Sequence, residues 1–334
     1  MKYTYVILVI FLIGSCSAPK HTLSDPEKYI NEVFHIVEKN SIRKDSVDFD
    51  IIKSKAYRKI KQAKTIEDCY PIIQSVLTDL GDNHSFLMTK EKVAKWSNTS
   101  DSKTKNKLIT FSGKNINGNI GYIKMKGFSS GDSKSVTTYT DSLQKLIKTI
   151  DNKNIKGWII DLRENTGGNC WPMLAGIGPI LDDGICGYFV DASGRKSEWF
   201  YENGKSGINS KAIVKTSIKP YRLINRNSPI AILTGNRTAS SGEVIVTAFH
   251  GRANTMSFGE KTAGLSTGNA SFNLSDGSMI FLTSSIYADR NGKLFGKKIK
   301  PDVEIEFDND KIDADDDKVI EQAIEWIIKY PAPQ

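Results

Sequence analysis

A chain of 334 residues, 39% hydrophobic and 25% charged, is long enough for one large core or two smaller ones. That composition excludes a disordered, collagenous or disulfide-knotted protein. The formal charge is +8, but the lysines are scattered and no dense basic run is interleaved with aromatics, so solvated surface is expected and nucleic acid is not an expected partner.

The first element is a targeting segment. Lys2 precedes the apolar run YVILVIFLIG, a charged start followed by a core too short to span a bilayer comfortably. Ile13-Gly14-Ser15-Cys16 resembles the bacterial lipobox, in which a cysteine after small residues is lipidated and becomes the new N-terminus. Residues 1–15 are therefore read as a lipoprotein signal peptide, Cys16 as the lipidation site and residues 16–24 as a tether. Each buried CH₂ of an acyl chain contributes about 0.8 kcal/mol to such an anchor. Cleavage removes Lys2 and takes the formal charge from +8 to +7. The expected location is outside the cytoplasm, lipid-anchored to the bacterial cell envelope on its periplasmic or extracellular face. An oxidising compartment is compatible with a Cys170–Cys186 disulfide, and spacing alone leaves that pairing open.

Residues 25–90 are predicted to be a small helical subdomain. Tyr29, Ile30, Val33, Phe34 and Val37 recur at helix spacing, as do Ile66, Cys69, Ile73, Val76, Leu77 and Leu80, with Gly81 as a stop. Residues 91–117 are polar and read as a linker or a long surface excursion. From 118 to 330 strands and helices alternate, which predicts an α/β core. NIGYIKMKGF, GWIIDLR and PIAILTG read as strands, the last two of the buried kind. Leu143, Leu146, Ile147 and Ile150 mark one helix, and WPMLAGIGPIL and GEVIVTAFHG two more. Hairpins are expected around Ser193-Gly194 and Asp276-Gly277, and a final helix through Val319, Ile320, Ala323, Ile324 and Ile327.

Three stretches carry candidate chemistry. In Thr238-Ala-Ser-Ser-Gly-Glu243, Ser240 and Glu243 have the spacing of a helix capping box, and taken alone that explains them. DLGDNHSFL places His84 just past a helix end. IIDLRENTGGNCWP is a buried strand running into a Gly-Gly turn and a helix, a geometry that brings backbone N–H groups close to a ligand. No G-K-[ST] follows, so a phosphate-binding loop is disfavoured. No C-x-x-C or H-E-x-x-H is present, so no zinc or other cofactor is expected.

Taken in order, these stretches form a larger pattern. Gly-Asp-x-His-Ser is followed by Gly-Tyr-Ile, Asp-Leu-Arg-x-Asn-x-Gly-Gly, Thr-Ala-Ser-Ser-Gly-Glu, Gly-Glu-Lys-Thr-Ala-Gly and Pro-Asp-Val. The set, over roughly residues 70–310, resembles the C-terminal processing peptidase and tricorn-core family of serine peptidases. The resemblance implies a core similar to the Clp protease and crotonase fold. It implies Ser240 as nucleophile, with the N–H of Ser241 and that of Gly167 or Gly168 forming an oxyanion hole. A helix N-terminus suits a developing oxyanion. The processing branch uses a lysine where this chain has Leu265 after Thr262-Ala263-Gly264, and Lys261 aligns before the threonine. The tricorn-like branch uses a histidine, which matches His84, a suitable base near neutral pH. His250 lies about 15 Å along the same helix as Ser240 and is a poor rival. The glutamate expected before the Pro-Asp segment is replaced by Phe295. Glu243 is then the candidate third member or simply the cap partner. Arg163 is expected to brace its loop.

The space between His84 and Gly121 is too short for the PDZ module of the processing branch. The expected function is a cell-envelope serine endopeptidase acting on peptide or protein substrates through an acyl-enzyme, with the membrane as partner through the lipid. The rival is a decayed peptidase scaffold that binds peptides or hydrophobic ligands. Retention of Ser240, His84 and the glycine pair argues for the enzyme. An esterase using the same machinery is the third reading, weakened by the lack of G-x-S-x-G. The oligomeric state is not set by the sequence.

Overall fold

The computed structural model describes residues 24–97, 109–312 and 316–330. The signal segment, Cys16 and the tether through residue 23 lie outside the described residues.

Ser24 and Glu27 form a capping box that starts helix α1 (Asp25–Asn40), whose buried stripe is Tyr29, Ile30, Val33, Phe34 and Val37. Helices α2 (Phe49–Ile60) and α3 (Tyr70–Asp79) follow, and Gly81 ends the run at φ +70°. This helical cluster does not close on itself. It shares its core with Leu274, Ile280 and Leu282, far along the chain.

Two expectations fail next. The segment read as helical to residue 90 ends in strand β1 (Phe86–Met88). The segment read as a linker, 91–117, carries most of helix α4 (Lys90–Ser97) and all of strand β2 (Phe111–Ile116). A three-residue strand is too short to show alternation. Among the described residues FSGKNI is an edge strand bonded only to the following strand, β3 (Ile120–Met125), and its solvated positions read as polar linker.

Helix α5 (Ser133–Ile150), strand β4 (Gly157–Asp161) and helix α6 (Cys170–Leu181) come next. Strands β5 (Gly184–Asp191), β6 (Lys196–Glu202), β7 (Lys205–Ile208) and β8 (Lys211–Lys215) form an antiparallel meander. Strand β9 (Ile230–Thr234), helix α7 (Ser241–Phe249) and strand β10 (Thr255–Gly259) return to the α/β pattern. The hairpin β11 (Thr267–Asn273) and β12 (Met279–Asp289), strand β13 (Val303–Glu304) and helix α8 (Lys318–Lys329) complete the chain.

Among the described residues the strands make a six-stranded sheet, ordered β13-β10-β9-β4-β3-β2, and a seven-stranded sheet containing β1, β5–β8, β11 and β12. The first is parallel except at the β2 edge. Its central strands β3, β4 and β9 are buried along their whole length because both faces are covered. Trp158 and Ile160 face the core shared with α5, α6 and α7, while Ile159 packs with Val319, Ala323 and Ile327 of α8. The cysteines Cys170 and Cys186 are both free thiols.

This topology sets the position of the site. β4 and β9 are parallel neighbours, with Asp161 opposite Leu233. The loops leaving their carboxyl ends therefore lie side by side, where open α/β sheets place ligands. One loop carries Gly167 and Gly168, the other Ser240.

Candidate active site

Those two loops are tied together by hydrogen bonds. Ala239 N donates to Asn165 O (2.9 Å), Thr238 Oγ1 to Leu162 O (2.8 Å) and Ser241 Oγ to Gly168 O (2.6 Å). Beneath them Arg163, 1% exposed, is clamped between Asp161 and Asp317, each at 2.7 Å from Nη2, and lies over the Phe307 ring. It braces the loop from inside.

Ser240 sits at φ +51°, ψ −115°, a conformation rare for a residue with a side chain. Such backbone costs of order 1–3 kcal/mol and persists where its surroundings over-determine it. Here Glu243 supplies the constraint. Its Oε2 accepts from Ser240 N at 3.0 Å, and its Oε1 accepts from Thr262 Oγ1 (2.6 Å) and Gly264 N (3.2 Å). Burial pushes the Glu243 carboxyl up to about 7, against the pull of the Thr262 and backbone donors.

The Ser240 hydroxyl faces His84, with Oγ 3.0 Å from Nε2. His84 arrives from the far end of the sequence because β1 pairs with β12, Phe86 opposite Phe281, and pins the preceding turn. Asp82 Oδ1 accepts from the backbone N–H of His84 and of Ser85, and Asn269 Nδ2 donates to the His84 carbonyl. The other ring nitrogen, Nδ1, lies 2.8 Å from Thr267 Oγ1 at the start of β11. Burial pulls the His84 imidazole below its ordinary value, partly offset by Asp82, so the ring is neutral at pH 7. The buried hydroxyl of Tyr287 also meets Ser240, and burial raises that phenol.

Two backbone N–H groups lie on the loops that meet here. Ser241 N opens α7, where no intrahelical acceptor exists for it. Of the glycine pair, Gly167 is the wrong one for an anion: its N–H donates to Asn165 Oδ1 at 3.0 Å. Gly168 is exposed, and among the described residues its N–H has no acceptor. Gly167 matters differently. At φ +94°, a Cβ there would come 2.9 Å from Ser240 Cβ, so the close approach of the loops needs its missing side chain.

The geometry corrects the expected third member. Glu243 holds the Ser240 backbone and has no hydrogen bond to His84; Thr267 meets His84 instead. No sequence signal marked Thr267, because its role comes from strand pairing. Phe295 packs edge-on against His250 at 5.2 Å, and His250 caps the opposite end of α7 beside Asp289. Lys261 is exposed and paired with Glu304. Among the described residues no group of three His, Cys, Asp or Glu side chains could hold a metal ion.

A profile of peptidase family S41 matches residues 119–305. This chain belongs to peptidase family S41. It is a serine peptidase, with the Clp protease-like α/β fold of that family. The S41 chain is 30% identical to the nisin-resistance protein of Lactococcus lactis subsp. lactis, over 90% of this chain and 87% of that protein. It is 31% identical to the carboxy-terminal processing protease CtpA of Bacillus subtilis over 56% of this chain, a match covering only 35% of that protein. A lipoprotein from Streptococcus agalactiae has a similar structure, with TM-score 0.72 and 26% identity, covering 96% of this chain and 99% of the other. No described helix of the S41 chain is long and apolar enough to cross a membrane.

Proposed function

We propose that this serine peptidase is a cell-envelope endopeptidase working through an acyl-enzyme on Ser240, with His84 as general base. The observation that carries the reading is the 3.0 Å separation of Ser240 Oγ and His84 Nε2. His84 takes the serine proton as Oγ attacks a peptide carbonyl, then gives it to the leaving amine. Water, deprotonated by the same imidazole, hydrolyses the ester. Ser241 N and Gly168 N receive the oxyanion, and one such donor contributes roughly 2.7–4 kcal/mol in a comparable protease. Thr267 accepts from Nδ1–H and so holds the tautomer in which Nε2 is free to accept.

Two further parts of the reading rest on likeness. The Lactococcus relative is named for nisin resistance and matches nearly the whole chain, so we take peptides met at the cell envelope, nisin among them, as the substrates. The lipobox-like Cys16 and the likeness to a streptococcal lipoprotein support removal of residues 1–15 and a lipid anchor on Cys16, with 16–24 as tether. In this reading the N-terminal segment 25–90, three helices running into strand β1, and the α/β core 118–330 act together, His84 coming from the first and Ser240 from the second.

Fluorophosphonate labelling with the adduct located by peptide mass spectrometry tests the chemistry. A single adduct on Ser240, lost in His84→Ala, is expected. Undiminished hydrolysis by Ser240→Ala would sink the mechanism. Intact mass of the mature chain checks the anchor, and cleavage elsewhere without lipid would remove it.

A further inference from the structure

His84 reaches Ser240 from a short turn between the Gly81 helix stop and the three-residue strand β1, and Asn83 just before it stands in the left-handed region at φ +57°. A turn with so little regular structure holds a ring in place only where other groups fix its backbone. Here both backbone polar groups of His84 are taken by side chains. Asp82 Oδ1 accepts from its N–H at 2.9 Å, and Asn269 Nδ2 donates to its carbonyl at 2.9 Å.

Asn269 is itself fixed. Its Oδ1 accepts from Thr283 Oγ1 at 3.0 Å, which sets the amide orientation and leaves Nδ2 for His84. Thr283 is buried on β12 and grips the same turn a second time. Its N–H donates to Ser85 Oγ at 2.9 Å, and Ser85 Oγ donates to Asp82 Oδ2 at 2.7 Å. The bonds thus close a ring that runs from Asp82 through His84, Asn269, Thr283 and Ser85 back to Asp82. The Thr283 carbonyl accepts from Ile42 N, just past α1, at 2.8 Å. Strand register puts Asn269 in this ring. β11 pairs with β12 through a bulge, with Gly268 opposite Ser285 and Asn269 opposite Thr283, so Ser284 is the extra residue. A bulge re-aims the side chains beside it. Thr267 on one side of it meets the His84 ring, and Asn269 on the other meets the His84 backbone.

We propose that Asn269, held by Thr283, is a positioning residue of the peptidase, fixing the His84 backbone so that Nε2 stays on Ser240 Oγ. The inference rests on His84 being the general base. The side-chain bonds of Asn269 go to the His84 carbonyl and to Thr283, so it acts through His84. Its loss changes how often the imidazole stands in line with the serine, which lowers kcat and leaves KM. A shift of about 1 Å at a reacting group can cost on the order of a hundredfold in rate, so a loosened turn is enough.

Steady-state kinetics on Asn269→Ala, Thr283→Val, Thr283→Ser and the Asn269→Ala/Thr283→Val double variant test this. Asn269→Ala and Thr283→Val are each expected to lower kcat about tenfold, the worth of one hydrogen bond, with KM within about twofold and Thr283→Ser close to wild type. Because the two side chains act through one chain of bonds, the double variant should lose little more than either single one, where independent losses would multiply to about a hundredfold. A second readout needs no turnover. Nitrogen NMR of the full chain labelled at its four histidines, with His84 assigned from His84→Ala, should show one neutral form protonated on Nδ1 in wild type and a mixture of forms in Asn269→Ala and Thr283→Val. An unchanged kcat, a rise in KM alone or an unchanged His84 signal in Asn269→Ala overturns the proposal. Where Asn269→Ala fails to fold, the contrast between Thr283→Val and Thr283→Ser decides. If His84→Ala keeps full activity the catalytic reading falls, while altered His84 signals in Asn269→Ala still uphold the clamp.

Discussion

Thr267 Oγ1 lies 2.8 Å from His84 Nδ1, while Ser240 Oγ lies 3.0 Å from Nε2, so the imidazole is held from both sides by hydroxyls. Among the described residues no carboxylate shares a hydrogen bond with the ring. In the proposed mechanism an imidazolium formed at His84 would be stabilised by a neutral acceptor, and the hydroxyl's main effect would be on orientation and tautomer. Thr267→Val keeps the shape and removes the acceptor. Loss of one such bond is expected to lower kcat/KM by about 1–1.5 kcal/mol, or roughly tenfold, with Thr267→Ser close to wild type. Steady-state kinetics on the two variants checks this; equal activity in Thr267→Val would remove Thr267 from the site.

Burial lowers the His84 value below the ordinary 6.5. Protonated imidazole cannot accept the Ser240 proton, so kcat/KM should rise with pH along an acid limb centred below 6.5 and be flat at neutrality. The stability sign is the same. A histidine depressed on folding contributes stability above the unfolded value, and that contribution is lost as pH falls through the folded one. A limb centred at 7 or higher would contradict the buried, neutral ring.

Glu243 behaves in the opposite sense. Its carboxyl is raised to about 7 in the fold. The folded state then binds a proton that the unfolded state has lost, so this group's contribution is complete below the ordinary 4.5 and fades as pH rises through about 7. The effect amounts to roughly 3 kcal/mol at most. Urea midpoints of wild type and Glu243→Gln across pH 5–8 should show a fall in the first that is absent in the second. Parallel curves would place the charge elsewhere. The acid limb of kcat/KM should survive in Glu243→Gln, since that limb belongs to His84.

Arg163 is buried between two carboxylates. Arg163→Met removes the guanidinium that Asp161 and Asp317 share, and breaking a buried pair on one side costs about 3–5 kcal/mol. Asp317 also caps α8 through Val319 N and Ile320 N, so the loss should reach that helix. Arg163→Lys should recover little, because an ammonium cannot bridge two carboxylates as the planar fork does. Chemical denaturation measures this. A change below about 1 kcal/mol would mean that the clamp relaxes at little cost.

The sequence by itself determined the parts of this protein that depend on local spacing. Buried strands such as GWIID and IAILT announce themselves as continuous apolar runs, α1 by its 3.6-residue stripe and its Ser24–Glu27 cap. The glycine pair and the serine motif are each compact in sequence, yet taken alone they read as a tight turn and a capping box; the ordered set of motifs is what pointed to Ser240, Ser241 and a donor from Gly167 or Gly168. His84 was legible only through the ordered set of motifs. What tertiary structure decided is everything that requires distant chain segments to meet. Gly167 and Gly168 look alike in sequence, and a single bond from Asn165 separates their N–H groups. Thr267, unmarked in the sequence, stands beside the imidazole where Glu243 was the candidate, because β11 delivers Thr267 there while the helix turn keeps Glu243 under Ser240. β2 hid as a linker because an edge strand is half-solvated. Local pattern records which face of an element is dry; it carries no record of which hydroxyl a fold brings to a ring from 183 residues away.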